Sequence, residues 1–332
     1  MNPTIKQIAS KAKVSIATVS RVLNNDDRVT EETKKKVLQV SSELNYKPNL
    51  IARNFAKKTS NSIGLILPDI SDEFFTDIIR GVDEITYANG YYTMVASSHR
   101  NRTISDSISA FAQTGLVGGI ILLISSMTEE LKNILCQTKI PVVIIGGGKE
   151  SNEFDTVTID NYQGAFEATE YLIKKKKFTR IAHITGPDEN YDAHLRKKGF
   201  IEACKKNGIT VDKSFIVKGN YTIDSGYHGF IQLYGLQEKP QAIFAANDMM
   251  ALGCYDAANY FNIKIPDEIS IIGFDDIFIS KYVNPGLTTV RVQIDEVGKA
   301  AAKLLLERLN RANGHEHSLL KIPTELIIRK SC

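Results

Sequence analysis

The chain has 332 residues, of which 43% are hydrophobic and 24% are charged, and its formal net charge is +3. This composition supports two to three domains with buried cores and excludes a disordered or collagen-like chain. The longest apolar run, near residues 118–124, is far shorter than the roughly 18 residues that a membrane helix needs. We therefore expect no membrane partner.

The N-terminal segment and the spacing of the cysteines bear on where in the cell the protein is located. Residues 1–6 show no basic start followed by an apolar core, so we expect no secretory signal. Cys136, Cys204, Cys254 and Cys332 lie far apart, without a C-x-x-C pair. This spacing argues against a zinc cluster or a disulfide framework, and it predicts a reducing, cytoplasmic location.

Positive charge is concentrated at the start of the chain. Residues 1–60 hold 12 Lys and Arg against 5 Asp and Glu, a net charge of +7, whereas the remainder has a net charge of −4. A basic head on a mildly acidic body is typical of a nucleic-acid-binding module joined to another domain. On charge alone, a solvated basic tail is the alternative.

The pattern of the head predicts three short helices. Thr4, Ser15 and Thr30 are suitable N-caps, and each precedes apolar residues at helical spacing. The inner faces consist of Ile5, Ile8, Ala9 and Ala12, then Val19, Val22 and Leu23, then Thr33, Val37, Val40 and Leu44. Two helices joined by a short turn and closed by a third form a helix-turn-helix. A three-helix protein-binding bundle would show the same pattern.

The second helix of a helix-turn-helix lies in the DNA major groove. Arg21 can donate two hydrogen bonds to a guanine, whereas Ile16 and Ala17 can contact a thymine methyl group. Hydroxyl and amide side chains suit phosphates. The candidate DNA contacts in the head are Thr4, Ser15, Ile16, Ala17, Thr18, Ser20, Arg21 and Asn24.

A hinge is predicted after the head. Pro48 disfavours helix at Lys47 and therefore separates the third helix from the next segment of the chain. Residues 49–58 form a candidate helix that is too short to be stable alone in water. A flexible basic linker is the alternative for this segment.

The rest of the chain alternates between apolar strands and helices. The predicted strands are 62–68, 92–96, 119–124, 142–145, 157–159, 181–186, 215–218, 242–246 and 270–274. The predicted helices are 73–89, 164–177, 195–207, 225–233 and 248–260. Such alternation indicates parallel sheets covered on both faces, and its length indicates two similar α/β halves.

Polar side chains at the strand ends predict a ligand site. In such folds ligands bind outside the carboxyl ends of strands, and two facing halves form a cleft that closes by hinge motion. The predicted strand ends carry hydroxyls, amides and carboxylates, with Phe74 and Tyr221 nearby. This combination suits a polyhydroxylated ligand such as a sugar. The strand-end candidates include Asp69, Asp72, Ser98, Ser125, Asp160, Asn161, Thr185, Asn220, Asn247, Asp248, Asp275 and Asp276.

Several motifs resemble the lactose/galactose-repressor family of bacterial transcription regulators. They are IKQIA at 5–9, VSIATVSRVLN at 14–24, YKPNLIAR at 46–53, IGLILPDIS at 63–71, AAND at 245–248, IGFDD at 272–276 and PTEL at 323–326. The motifs occur in the family's order and cover almost the whole chain. The resemblance is therefore highly specific for the family and only weakly specific for the ligand.

The resemblance implies an α-helical helix-turn-helix head and an α/β body like that of periplasmic binding proteins, with two doubly wound parallel-sheet subdomains. It implies a DNA-binding domain at 1–46, a hinge at 47–60 and an effector-binding and dimerisation domain at 61–332. The N-subdomain is expected at about 61–160 and 293–320, and the C-subdomain at about 163–290 and 323–332.

The resemblance also assigns site residues. In the hinge it implies a helix that folds on operator DNA and contacts the minor groove through Asn49, Ala52, Arg53 and Phe55. Phe55 occupies a wedge position where the family more often has leucine. The effector-binding positions are Asp72, Phe74, Asp160, Arg196, Tyr221, Asn247 and Asp275.

Each of these positions has a structural alternative. Asn247 would close a turn, Asp275 would cap the next segment, and Arg196 would pair with a carboxylate on its own helix. Phe74 and Tyr221 would be ordinary packing residues. We interpret Asp248 only as a helix N-cap.

Two other classes of function fit the sequence less well. No G-x-G-x-x-G follows the first strand of the body, and residues 146–150 lack the spacing of a phosphate-binding loop. No G-x-S-x-G or H-E-x-x-H motif occurs, so we expect no catalytic residues, cofactor or metal. A transported-solute receptor would fit the body, although the basic head argues against it. We therefore predict a homodimeric DNA-binding repressor that binds a pseudopalindromic operator and responds to a sugar or small metabolite.

Overall fold

A computed structural model describes residues 3–23, 26, 28–46, 60–70, 72–98, 102–148, 153–310 and 316–332. The chain divides into two compact units, one up to residue 59 and one from residue 60. The predicted hinge helix lies outside the described residues. None of the described helices has the length and apolar character needed to cross a membrane.

The first unit is the predicted three-helix head. Its helices are α1 (Ile5–Ala12), α2 (Ile16–Leu23) and α3 (Glu31–Glu43). Thr4 and Gln7 form a reciprocal capping box at the start of α1. Ser15 caps α2, because its hydroxyl accepts a hydrogen bond from the Thr18 backbone N–H at 3.0 Å. The helix-turn-helix prediction is confirmed.

The head has its own small core. Ile8, Ala12, Val19, Val22 and Val37 are almost fully buried, with at most 2% of each residue exposed. These residues come from all three helices, so the contacts fix the helices against one another. The charged side chains of the described head residues lie outside this core.

The second unit contains two six-stranded sheets, each covered by helices. The N-subdomain has strands β1 (Ser62–Leu67), β2 (Tyr92–Ser97), β3 (Gly119–Ile124), β4 (Val142–Gly146), β5 (Asp155–Ile159) and β11 (Leu319–Ile322). Its helices are α4 (Glu73–Ala88), α5 (Ile104–Thr114), α6 (Glu129–Gln137) and α11 (Ile294–Asn310). The strand order is β11-β5-β4-β3-β1-β2, and every pair is parallel.

The C-subdomain repeats this architecture. Its strands are β6 (Ile181–Thr185), β7 (Ile216–Lys218), β8 (Ala242–Ala245), β9 (Ser270–Asp275), β10 (Thr288–Val292) and β12 (Thr324–Ile327). Its helices are α7 (Asn161–Lys174), α8 (Tyr191–Lys206), α9 (Ile223–Tyr234) and α10 (Asp248–Tyr260). The strand order is β12-β10-β9-β8-β6-β7, and β12 runs antiparallel to β10. The predicted fold class is confirmed, with this one antiparallel strand as a difference.

The chain passes between the subdomains three times, at residues 160, 293 and 323. Strand β11 runs to Ile322, two residues beyond the expected end of the N-subdomain, and Pro323 then leads directly into β12. The Asp160 backbone N–H donates to the Ile322 carbonyl at 2.9 Å, so two of the crossings are hydrogen-bonded to each other. This arrangement is typical of a hinge between two subdomains.

The predicted elements of the body occur within a few residues of their expected bounds. The largest shift is in α8, which begins at Tyr191 because the Asn190 side chain caps it. Similarly, α7 begins at Asn161 because the Asp160 carboxylate accepts a hydrogen bond from the Gln163 N–H. These polar N-caps precede the apolar periodicity by several residues, so the periodicity alone places both helix starts too late.

A buried histidine lies in the core of the C-subdomain. The His183 ring on β6 stacks on Phe200 and Phe244, with ring centroids 5.0 and 4.8 Å apart. Its Nδ1 is 2.8 Å from the Phe244 carbonyl, whereas Nε2 has no hydrogen-bond partner among the described residues. Burial lowers the pKa of His183 from 6.5 to about 4, and the charges of Lys197 and Arg196 act in the same direction.

This histidine predicts a loss of stability in acid. Below pH 6.5 the unfolded chain binds a proton at His183, whereas the folded chain does not until about pH 4. The free energy of unfolding therefore falls as the pH drops through this window, by about 3 kcal/mol from this residue. His183→Phe keeps the stacking and removes the titration, so its unfolding free energy, measured by urea denaturation and circular dichroism, falls less steeply. Equal slopes for the two proteins would contradict this account.

Candidate functional site

The outer face of α2 presents most of the predicted DNA contacts in the head. Ser15, Ile16, Ala17 and Arg21 are exposed, and Ile16 is 46% exposed, whereas Ile8 of the same unit is buried and Ile5 is half-buried. Thr18 and Ser20 are half-buried on the same helix. An arginine beside two small apolar side chains gives this face both hydrogen-bond donors and methyl contacts, which are the groups that read bases in the major groove.

Some of the predicted DNA-contacting residues cap helices of the head, and others lie outside the described residues. The Ser15 hydroxyl is 2.9 Å from the Thr18 hydroxyl, so both take part in capping α2. Thr4 is exposed and caps α1. The remaining predicted contacts lie outside the described residues, namely Asn24, Asn49, Ala52, Arg53 and Phe55.

A cavity of about 250 Å³ lies in the second unit, where strand ends of the two sheets meet. Its N-subdomain side is mainly apolar and its C-subdomain side is mainly polar. The N-subdomain contributes Pro68, Asp72, Phe74, Phe75, Leu123, Ile124, Ser125, Ile145, Gly146, Val157 and Ile159. The C-subdomain contributes Asn190, Asp192, Arg196, Tyr221, Asn247 and Asp275. This combination of an apolar wall with a few convergent polar groups is typical of a small-molecule site.

A buried arginine organises the polar side of the cavity. Arg196 is 4% exposed, and its guanidinium lies 3.8 Å from the centroid of the Phe274 ring. Its Nε donates to the Asn161 side-chain oxygen at 2.8 Å, and Nη1 donates to the Ala246 carbonyl at 2.5 Å. Its Nη2 lies 3.3 Å from Asp275 Oδ1. The side chain therefore ties together the starts of α7 and α8 and the ends of β8 and β9.

Asp275 is a buried acid of the cavity. It is 6% exposed, and burial raises its pKa against the opposing effect of Arg196. Its backbone φ is 113°, and that of Asp276 is 57°, so two successive non-glycine residues have positive φ. Such strain is often found at functional sites. In the described part of the chain, Asp275 Oδ1 makes an ion pair with Arg196 but no aligned hydrogen bond.

Three other predicted effector residues, Asp72, Asn247 and Tyr221, also line the cavity. The Asp72 carboxylate caps α4 by accepting from the Phe75 N–H at 3.3 Å, and burial raises its pKa. Asn247 caps α10 and donates to the Tyr221 carbonyl at 3.1 Å. The Tyr221 hydroxyl is buried without a hydrogen-bond partner among the described residues. Phe74 also lines the cavity and packs edge-on against Phe75.

The structure does not bring Asp160 to the cavity. This residue lies in the hinge, where its carboxylate caps α7 and stands 3.6 Å from Lys321 Nζ. The end of β5 leads into a crossing between subdomains and not into a loop over the cleft. Asp160 therefore positions the hinge.

The interpretation of Asp248 as an N-cap is wrong, because Asn247 is the N-cap of α10. Asp248 is fully buried and accepts hydrogen bonds from the Ile277 N–H and from the hydroxyls of Ser280 and Thr289, at 3.0, 2.6 and 2.5 Å. Burial raises its pKa to about 7. Its role is to hold the chain that comes after the strained residues 275 and 276.

Sequence reasoning missed two polar residues that line the cavity, Asn190 and Asp192. Asn190 and Asp192 line it from the start of α8, and Asn161 orients Arg196 from the start of α7. Asn161 stood among the strand-end candidates, but Asn190 and Asp192 follow a strand end by several residues. An Asn at an N-cap position preceding an acidic first turn was the available signal.

The glycines at 146–148 have positive φ, a backbone conformation that would be strained for any other residue type. Their φ values are 82°, 81° and 84°, a region that favours glycine. A Cβ at Gly146 would lie 2.7 Å from the Ile124 carbonyl oxygen. Glycine is therefore required where β4 reaches the cavity.

The two subdomains touch at the edges of the cavity. The Tyr191 N–H donates to the Ser125 carbonyl at 2.9 Å, and the Phe278 N–H donates to Glu73 Oε1 at 2.7 Å. These two bonds join the subdomains across the cleft. The described residues contain no cluster of three side chains suited to a metal ion.

Comparison with known proteins agrees with this architecture. Residues 4–49 match the model of bacterial regulatory proteins of the lacI family, and residues 169–332 match a periplasmic binding protein-like domain. Catabolite control protein A of Priestia megaterium is 36% identical over 332 residues, which covers 100% of this chain and 99% of that protein. The HTH-type transcriptional repressor CytR of Escherichia coli K12 is 37% identical, covering 99% of this chain and 96% of the repressor.

A solved structure of the lac repressor dimer, bound to operator and the anti-inducer ONPF, is also similar. Its TM-score is 0.87 at 25% identity, and the match covers 100% of this chain and 99% of that one.

A helix-turn-helix head and a two-subdomain body with a ligand cavity together define a class of protein, the DNA-binding transcriptional regulators with an effector domain. The chain belongs to the lacI family of bacterial regulatory proteins. Its family consists of transcriptional regulators and not of enzymes, which agrees with the expectation from sequence.

Replacement of Gly146 by alanine tests the strained end of β4. Gly90 is a matched control, because its φ is 79° but its Cβ position has no atom within 4 Å. Gly90→Ala should cost about 1 kcal/mol from backbone strain alone. Gly146→Ala should cost about 3 kcal/mol, because its Cβ also meets the Ile124 carbonyl. Urea denaturation measures both values, and equal costs would show that the contact relaxes freely.

Proposed function

We propose that this protein binds a two-fold symmetric operator as a homodimer in the bacterial cytoplasm, and that a small polyhydroxylated metabolite controls this binding from the cavity. The observation that carries the proposal is the cavity itself. It lies between two subdomains joined by three hinge crossings, in a chain that also has a DNA-binding head.

The proposed base-reading surface is the outer face of α2. The Arg21 guanidinium has no ion-pair partner among the described residues and is free to donate to a guanine edge. Ile16 and Ala17 add methyl contacts, whereas Thr4, Ser15, Thr18 and Ser20 are proposed phosphate contacts. The hinge contacts proposed for Asn49, Ala52, Arg53 and Phe55 rest on the family resemblance.

Dimer formation is supported by one edge of the N-subdomain. Strand β2 is at the edge of its sheet, and its residues Tyr92 and Val95 are 64% and 42% exposed. Tyr87, in the last turn of the preceding helix, is 73% exposed. An exposed apolar edge strand favours association with a second chain. The similar lac repressor structure is a dimer on its operator, which supports the same arrangement here.

The proposed effector lies against the apolar wall of the N-subdomain and bonds to the polar residues of the C-subdomain. Phe74 and Tyr221 supply ring contacts, and Asp72, Asn247 and Asp275 supply acceptors and donors for hydroxyl groups. Arg196 acts mainly by positioning Asp275.

The proposed coupling is mechanical. The ligand contacts both subdomains, so it favours the closed cleft by its differential affinity for the two arrangements. Such coupling between two sites is typically worth about 1–3 kcal/mol. Closure rotates one subdomain about the crossings at residues 160, 293 and 323. In the proposed dimer this rotation changes the separation of the two hinge segments, and therefore whether both heads can bind the operator.

Arg21→Ala tests the DNA side of the proposal. Loss of a bidentate guanine contact should weaken binding to a selected inverted repeat by about 1–3 kcal/mol and relax one base position. Lys6→Ala, on the exposed face of α1, should weaken operator and random DNA equally. Fluorescence anisotropy with the inverted repeat, a single half-site and random DNA measures these effects. A half-site bound as tightly as the repeat would contradict the dimer, and an equal loss on random DNA would exclude base reading by Arg21.

Asp275→Asn tests the effector side. We would screen the full chain by thermal shift against monosaccharides, amino sugars, disaccharides and nucleosides, because a ligand raises the melting temperature by mass action. The variant should bind any active compound at least tenfold more weakly and keep normal operator affinity. Asp256→Asn, on an exposed side of α10, should respond like wild type. A normal response of Asp275→Asn, or no active compound at all, would contradict the proposed cavity function.

A further inference from the structure

The charged groups that line the cavity are unbalanced. Three carboxylates line it, those of Asp72, Asp192 and Asp275, whereas Arg196 is its one cationic side chain among the described residues. An anionic ligand would therefore meet an excess of negative charge. A carboxylate without a hydrogen-bond or ion-pair partner in the protein is the one that a ligand can pair with.

Two of the carboxylates are engaged by the protein. Asp275 forms the ion pair with Arg196, whose Nε and Nη1 donate to Asn161 and the Ala246 carbonyl. Asp72 caps the start of α4 through the Phe75 N–H. Both acids therefore have structural partners before any ligand binds.

Asp192 has no such partner. Its carboxylate makes no hydrogen bond or ion pair with the residues that the structure describes, although the side chain is half-buried. Its position in the first turn of α8 favours the charged form. Burial raises its pKa, and the charge of Arg196, one turn further along α8, opposes this rise without forming an ion pair with Asp192. A half-buried carboxylate without a partner gains most from a ligand that carries positive charge.

The carboxylate of Asp192 lies at the boundary between the two subdomains. A Cβ built on Gly146 would lie 3.8 Å from Asp192 Oδ2, so the carboxylate of the C-subdomain faces the end of β4 in the N-subdomain. The neighbouring Tyr191 N–H already bonds across to Ser125. A cationic group here would therefore lie where the two subdomains meet and would stabilise the closed cleft.

We propose that the effector is an amino sugar of monosaccharide size whose protonated amine pairs with Asp192. This inference rests on the proposed function of the cavity and narrows its ligand class. The cavity volume of about 250 Å³ is below the range of roughly 300–1,000 Å³ for sites of drug-sized ligands. The apolar wall accepts the ring face, and the ammonium group offers three donors to Asp192 and to nearby carbonyl or hydroxyl oxygens.

The alternative ligand is the neutral parent sugar. A hydroxyl group can also donate to Asp192, but it leaves the negative charge of the half-buried carboxylate uncompensated. An N-acetyl group removes the positive charge and adds bulk. Comparing the amine, the neutral parent and the N-acetyl form of one sugar therefore distinguishes recognition of the positive charge from recognition of the sugar ring.

The experiment compares three series on the full-length protein by calorimetry and thermal shift. The probes are glucosamine, galactosamine and mannosamine, each with its neutral parent and its N-acetyl form. At least one amine should bind tenfold or more tightly than both counterparts, which corresponds to about 1.4 kcal/mol. Asp192→Asn, which is nearly isosteric, should abolish that preference, whereas Asp256→Asn should retain it.

Several outcomes would overturn the proposal. They are equal binding of amine and parent, no binding of any of the three amines, or an amine preference that survives in Asp192→Asn. A folded Asp192→Asn protein is recognised by an unchanged circular dichroism spectrum and unchanged operator affinity. If neutral sugars or nucleosides bind and the Asp275→Asn variant loses them, only this inference fails and the cavity function stands.

Discussion

The buried guanidinium of Arg196 is the interaction on which the cavity depends. It is enclosed by an amide oxygen of Asn161, the Ala246 carbonyl, the Asp275 carboxylate and the face of Phe274. Removing one partner of such a pair leaves an uncompensated charge in a poorly polarisable interior, which is strongly destabilising. These contacts hold α7, α8 and the ends of β8 and β9 in one arrangement. That arrangement fixes the positions of the polar atoms that line the cavity.

Strain around the cavity is supported by hydrogen bonds outside it. The positive φ values at residues 275 and 276 persist because Asp248 accepts three hydrogen bonds from the following chain and from β10. Asp276 in turn pairs with Arg291 and Arg329, at 2.8 and 2.6 Å. The unfavourable backbone is thus offset by charge pairs on the side of the turn away from the ligand. This division lets the cavity keep a shape that local backbone preference would not select.

Sequence patterns predicted the fold well because both of its periodicities are strong. Alternating apolar strands and amphipathic helices need burial on defined faces, and few topologies satisfy that need. The candidate site was predicted only in part. Asn247 and Asp275 directly end strands that face the cleft, so the strand-end rule finds them. Asp160 also ends a strand, but that strand continues into a hinge. Asp192 enters from a helix start, where its direction depends on the three-dimensional course of a loop that no periodicity encodes.

One edge strand of each sheet comes from a single short segment, residues 319–327. Strand β11 completes the N-subdomain and β12, two residues later, completes the C-subdomain. Ser331 beyond them is buried and bonded to Thr288 and Ile271. During synthesis, neither half of the body can therefore finish its sheet until these residues have left the ribosome. Both sheets are then completed at nearly the same moment, so the folding of the two halves of the body is coupled through this one segment.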